Sequence, residues 1–198
     1  MLSFAVAVFL LIVTPGPGVL SVAGVGSGFG ARAGARYIVG LFLGNNLVGA
    51  AVISGLAALV LAIPYMRGVL LVASLAYLVW LAARIALAGS RIAFHAAEIA
   101  PGIRDGIALQ MVNPKAYAVN TALYSGFAFM PANPTAEVAI KILILNAIWI
   151  VLHFLWLGIG IGIRRMALPG RIQRLVNLGM AATMLGVVAL ALVAGAGG

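Results

Sequence analysis

Apolar residues fall into six long runs, and short polar clusters between them hold almost all the charge. The runs cover roughly 2–26, 38–62, 68–89, 104–129, 139–163 and 173–195. Each approaches the ~20 residues a helix needs to cross a ~30 Å hydrocarbon core, so the pattern predicts six transmembrane helices. Two runs are interrupted by helix breakers. The first carries Thr14-Pro15-Gly16-Pro17-Gly18 and the fourth carries Asn113-Pro114-Lys115. Proline removes a backbone donor and clashes with the preceding turn. Within a bilayer such a break persists only where protein or a water-filled cavity satisfies the freed groups. The remaining prolines, Pro64, Pro101, Pro131, Pro134 and Pro169, fall between runs.

Three runs per half make the halves enter the bilayer from opposite sides. A broken helix in corresponding positions of each half points to an inverted repeat and to a midplane binding site. Asn45 or Asn46 in the second run corresponds to Asn146 in the fifth. The expected fold is therefore all-α and integral to the membrane: six transmembrane helices as a 3+3 inverted repeat, with helices one and four broken near the midplane, in a single domain over 1–198. Charge orients it. Arg32, Arg36, Arg84, Arg91, Arg104, Arg164, Arg165, Arg171 and Arg174 lie in or beside the odd loops, whereas the even loops hold Arg67 and Lys141. Odd loops so enriched in basic residues are cytoplasmic, which places both termini outside. The N-terminus lacks a basic segment before its apolar run, so it reads as the first span rather than a cleaved signal.

Composition agrees. The chain has 198 residues and is 65% hydrophobic and 8% charged, against about 25% charged in soluble domains. The net charge of +9 does not indicate nucleic acid, because the basic residues are scattered and form no aromatic-basic patch. Cysteine is absent, which excludes thiol redox chemistry and thiolate metal sites. Gly26-Ser27-Gly28-Phe29-Gly30 lacks the strand and third glycine of a dinucleotide loop. No cofactor or metal is expected. Gly24/Gly28, Gly40/Gly44 and Gly158/Gly162 are small-residue pairs that let helices approach closely, within the fold or across a homodimer interface.

Thr14-Pro15-Gly16-Pro17, Ala76-Tyr77-Leu78-Val79-Trp80-Leu81 and Asn113-Pro114-Lys115-Ala116, in that order and spacing, resemble the LysE/RhtB family of bacterial amino-acid exporters. Arg104-Asp105-Gly106 and the Arg171 to Gly186 region, with Asn177, extend the likeness over essentially the whole chain. The resemblance implies efflux of amino acids or close derivatives across the bacterial cytoplasmic membrane. Gln110-Met111-Val112-Asn113 and the end of span three lean toward the cysteine/O-acetylserine exporter branch. The chain departs from the pattern at Leu71, where many members carry Lys, and at Ser74 and Ala82, where many carry Gly. A missing cation in span three implies a different or neutral substrate.

The candidate chemistry centres on Lys115, a cation near the midplane that costs about 2.5–3.5 kcal/mol to place there. The carboxylates are Glu98 and Glu137, read as loop residues, and Asp105, ~15 Å from Lys115 along the helix. A substrate carboxylate therefore completes the pair, unless Lys115 bonds to carbonyls freed at its own break. Asn113 fits an N-cap and Pro114 the first position of a new half-helix, whose N-terminus seats a carboxylate. Gly18 and Val19 would open the second half of span one, leaving the carbonyls of Ile12 and Val13 for an ammonium. Thr14, Pro15, Gly16, Pro17, Gly18, Asn45, Asn46, Asn113, Pro114, Lys115, Tyr117, Asn120 and Asn146 form the candidate substrate site. Asn113, Tyr117, Asn120 and Tyr124 share one helical face, as do Asn146, Trp149, His153 and Trp156. His153 titrates nearest neutrality and, with Asp105, is a candidate proton carrier; an unprotonated His153 bonded across helices is the alternative. The competing functional classes are a six-helix membrane enzyme, which would need a Ser or Thr hydroxyl beside His153, and a channel or structural membrane subunit.

Overall fold

A computed structural model of the chain describes residues 1–87 and 100–166, with further scattered positions between 169 and 186. The described elements are all helices: α1 (Leu2–Val13), α2 (Pro17–Phe29), α3 (Ala31–Ile53), α4 (Leu56–Ala62), α5 (Met66–Leu87), α6 (Ile103–Val112), α7 (Pro114–Ser125) and α8 (Pro134–Arg165). Most of the expected last span, with Asn177, and the loop positions Arg91 and Glu98 lie outside the described residues.

Both interrupted runs break where the sequence predicts. The α1–α2 pair bends by 53° across Thr14-Pro15-Gly16, and α3 and α8 are each long and apolar enough to cross a membrane. The second span differs from expectation. It begins at Ala31 rather than near 38, because Gly30, at φ 87°, turns the chain in one residue. Arg32 and Arg36 thus lie on the first turns of α3, not in a loop. The far end is also earlier, since Gly55 takes a left-handed φ of 78° and separates α4. The fifth span is longer than expected at 32 residues. It draws Glu137 and Lys141 out of the presumed loop and buries them, because each is the other's partner.

The bundle is built around α2, in which Pro17 through Ser27 are all buried. On α1, Phe4, Val8 and Ile12 recur every fourth residue and face inward, while Leu2, Val6, Phe9 and Leu10 face out. On α8, Glu137, Lys141, Leu145, Trp149, His153 and Leu157 make one buried stripe at the same spacing, extended by Gly160. Leu143, Val151, Phe154, Leu155 and Ile159 cover its outer face. An apolar belt outside a polar-bearing interior is the reverse of a soluble bundle and suits lipid.

Glycine sets the closest helix approaches. A Cβ on Gly160 of α8 would run into the carbonyl of Ala23 on α2, and one on Gly40 of α3 would meet the carbonyl of Ile103 at the start of α6. Gly44 takes the side chain of Gln110, so the Gly40/Gly44 pair packs as expected. A Cβ on Gly158 or Gly162 would meet nothing within 4 Å among the described residues, so neither packs against another described helix. The inward stripe of α8 passes through Gly160, one helical position set away from them.

Asn46 of α3 and Asn146 of α8 exchange side-chain hydrogen bonds of 3.2 and 2.9 Å. Residues expected to correspond between the halves therefore meet face to face. An interhelical polar pair in a membrane protein contributes on average ~0.6 kcal/mol. A double-mutant cycle with Asn46→Ala and Asn146→Ala, followed by thermal unfolding in detergent, is expected to return a favourable coupling of about that size. Strict additivity of the two losses would show that the pair does not form.

Candidate functional site

At the first break, Val13 ends α1 and Gly16, extended at φ −160°, precedes Pro17 at the first helical position of α2. Thr14 Oγ1 donates to the carbonyl of Leu10 at 2.6 Å, so part of the broken turn closes locally. The first intrahelical bond of α2 runs from the amide of Leu20 to the carbonyl of Gly16. Gly16 brings no capping side chain, and helix geometry gives the amides of Gly18 and Val19 no intrahelical acceptor.

At the second break, Asn113 caps α7 as its spacing predicts. Its Oδ1 accepts from the amide of Lys115 at 3.1 Å, and its Nδ2 donates to Gln110 Oε1 at 2.9 Å. Pro114 occupies the first helical position. Tyr117 closes the outside of the kink by donating its hydroxyl to the carbonyl of Met111.

Lys115 joins the two breaks. Its Nζ donates to the carbonyl of Thr14 at 2.6 Å. A Cβ on Gly16 would come within 3.0 Å of Nζ and 2.8 Å of Cδ, so a methyl there would push the ammonium from this position. The sequence reading expected the carbonyls of Ile12 and Val13 to be the free ones. The carbonyl used is that of Thr14, because this residue caps α1 with ψ 123° and so turns its carbonyl off the helix axis.

Around this junction lies an open cavity. Eight of the residues singled out from the sequence line it: Thr14, Gly16, Gly18, Asn45, Asn113, Lys115, Asn120 and His153. Asn120 Nδ2 donates to Asn45 Oδ1 and to the carbonyl of Ala116, while its buried Oδ1 has no partner among the described residues. His153 Nδ1 lies 2.8 Å from the carbonyl of Trp149. A carbonyl only accepts, so Nδ1 carries the proton and Nε2 is left open. That Nε2 faces the start of α2, 3.5 Å from where a Cβ on Gly18 would be. The imidazole stacks on Trp149 at 3.4 Å between centroids.

The other sequence candidates stand elsewhere. Pro15 is exposed, and Pro17 and Pro114 shape the breaks without lining the cavity. Asn46 and Asn146 pair with each other, and Tyr117 is spent on the kink. Asp105 caps α6, accepting from the amide of Gly102 at 2.7 Å, away from the cavity lining. It makes no ion pair with Arg104 or Arg164 among the described residues; Arg164 donates instead to the carbonyl of Gly28.

The sequence does not assign to the site the apolar wall of Leu11, Ile12, Val19, Val119, Leu145 and Trp149, or the amide of Gln110. Trp149 was marked by its spacing to His153. The aliphatic members carry no signal that separates a cavity wall from a packed core. The cavity lining holds one cation and no carboxylate. Of the carboxylates described, Asp105 is a cap and Glu137 is paired with Lys141. No group of His, Asp and Glu suited to a metal occurs among the described residues.

A helical bundle with apolar outer faces, in which two discontinuous helices meet at a shared polar cavity, is the build of a membrane transporter. The chain belongs to the LysE type translocator family, whose model matches residues 9–195. It is similar to the leucine efflux protein of Enterobacter sp. (strain 638), with 25% identity over 138 residues. That match covers 67% of this chain and 65% of the relative's length. No solved structure matches the chain. The family indicates a multi-pass bacterial membrane protein and a transporter rather than an enzyme.

Proposed function

We propose that this protein is a secondary exporter of neutral amino acids with apolar side chains, acting at the bacterial cytoplasmic membrane. The observation that carries the reading is the Lys115 ammonium, held between two helix breaks in a cavity without a carboxylate. A substrate carboxylate would replace the carbonyl of Thr14 as its partner, aided by the open amides at the start of α2. The apolar wall receives the side chain. A cationic side chain would meet Lys115 with no anion to offset it, and an anionic one would need a second cation. The name of the leucine-exporting relative points the same way.

Six spans in two inverted halves, with both termini outside, rock about the junction of the breaks to give alternating access. Proton exchange uses His153, whose open Nε2 faces the cavity, in preference to Asp105, which is committed to its cap.

Exchange in proteoliposomes tests this. Internal leucine is expected to drive uptake of labelled leucine. Lysine and glutamate at equal concentration should be taken up roughly 100-fold less well, as like-charge juxtaposition for the first and an unpaired buried carboxylate for the second each cost several kcal/mol. Lysine exchanged as readily as leucine, or no exchange of any amino acid, would refute the reading.

A further inference from the structure

The inward stripe of α8 does not end at the cavity. Leu145, Trp149 and His153 line it, and one turn beyond, about 6 Å along the axis, stands Lys141, followed by Glu137. Their ion pair measures 2.8 Å, with side chains 3% and 10% exposed. Both ions reach past each other. Lys141 Nζ donates to the carbonyl of Tyr124 in the last turn of α7 at 3.0 Å, and lies over the ring of Phe129. Glu137 Oε2 accepts the amides of Phe129 and Met130.

The pair thus ties down the end of α7 and the following loop, residues 126–133. That loop holds Phe127 and Phe129 edge-on and tilted against Phe4 of α1, at 5.6 and 6.0 Å between centroids. Phe4 is fully buried there, two turns above Ile12 of the cavity wall. Toward this end the elements that carry the cavity are joined by side chains and a loop. Toward the other end they are joined by backbone against backbone, where Gly160 meets Ala23 and Gly40 meets Ile103.

We infer that the loop 126–133 with its Phe127–Phe129–Phe4 plug is a gate of the cavity, and that the Glu137–Lys141 pair is the latch holding it shut. The inference rests on reading the cavity as a translocation site. Releasing a side-chain latch and a loop requires no helix to part from another, whereas the glycine-packed end opens only by movement of whole helices. A buried ion pair is weak evidence of stability; here it ties three elements through one carboxylate and one ammonium, as a switch needs.

The absence of cysteine makes the test clean. A Leu145→Cys protein in membrane vesicles is labelled with a charged, impermeant thiol reagent from each side in turn. Glu137→Gln is expected to raise the labelling rate about tenfold or more, the loss of one charge-assisted hydrogen bond, and only from the side bearing the loop. Glu137→Gln with Lys141→Met, which leaves no unpaired buried charge, and Phe129→Ala are expected to act in the same direction. Arg164→Gln, at the opposite end of α8, should leave that rate unchanged. An unchanged rate in all three gate variants, or an equal rise from both sides, would overturn the proposal. One-sided labelling in a protein that exchanges no amino acid would uphold the gate and sink the exporter reading.

Discussion

Replacing Lys115 with methionine is expected to reduce translocation by roughly 100-fold or more while leaving the folded protein at least nearly as stable. Truncating one partner of a buried, hydrogen-bonded charge pair typically costs 2–5 kcal/mol, and in this cavity the pair forms only when substrate brings the anion. Stability follows a different ledger. A lysine inside the bilayer carries about 2.5–3.5 kcal/mol of insertion penalty, which the substitution removes. Against that stands the lost bond to the carbonyl of Thr14, worth about 1.5–3 kcal/mol for a charged donor. The two nearly cancel. Gly16→Ala is expected to imitate the functional loss without touching the lysine, since its methyl would displace the flexible end of Lys115 rather than any backbone. Lys115→Arg should not restore export, because a planar guanidinium is larger than the ammonium that Gly16 admits. The readings are initial exchange rates in proteoliposomes and melting temperatures in detergent. Retained exchange in Lys115→Met would remove the ammonium from the mechanism.

The largest effect on folding is expected at Gly160. An alanine methyl there would enter the space of the Ala23 carbonyl, on two helices whose backbones are already in contact. Overpacking of this kind costs about 1–3 kcal/mol and sometimes more, enough to deplete a marginally stable membrane protein. Gly40→Ala should behave alike against Ile103. Gly158→Ala and Gly162→Ala serve as controls on the same helix, for a Cβ at either meets nothing within 4 Å among the described residues, and removing a helical glycine gains up to about 1 kcal/mol. Fluorescence-detected size-exclusion chromatography with a thermal ramp would rank them. A Gly160→Ala protein that melts with Gly158→Ala would show that the α2–α8 contact is looser than described.

The sequence is most legible where local chemistry decides. Asn113-Pro114 announces its own cap and first position, and the structure has both. Proline and glycine at 14–18 likewise announce a break. It is least legible where charge suggests a loop. Arg32 and Arg36 pushed the expected start of the second span to 38, yet a single positive-φ glycine at 30 lets α3 begin at once. Glu137 and Lys141 were also read as loop residues. Their i, i+4 spacing on a helix is a recognised pairing, and burial of the pair became visible only with the partners on α7 and the loop in place. Of the small-residue pairs, Gly40/Gly44 packs within the fold, whereas Gly158/Gly162 meets no other described helix. Spacing gives a face but not which face looks inward.

By itself the amino-acid sequence determined that this chain is helical and built for lipid, that two of its helices break, and that one cation lies at a break with no anion nearby in the chain. Those features are set by residues within a turn or two of each other. Only the tertiary structure decided that the breaks meet, that the Thr14 carbonyl and not those of Ile12 and Val13 receives Lys115, and that Asn120 and His153 face the cavity while Asn146 and Tyr117 do not. These depend on helix rotation and crossing. Both are fixed by where backbones come closest, at Gly40 and Gly160, far along the chain from the residues they bring together.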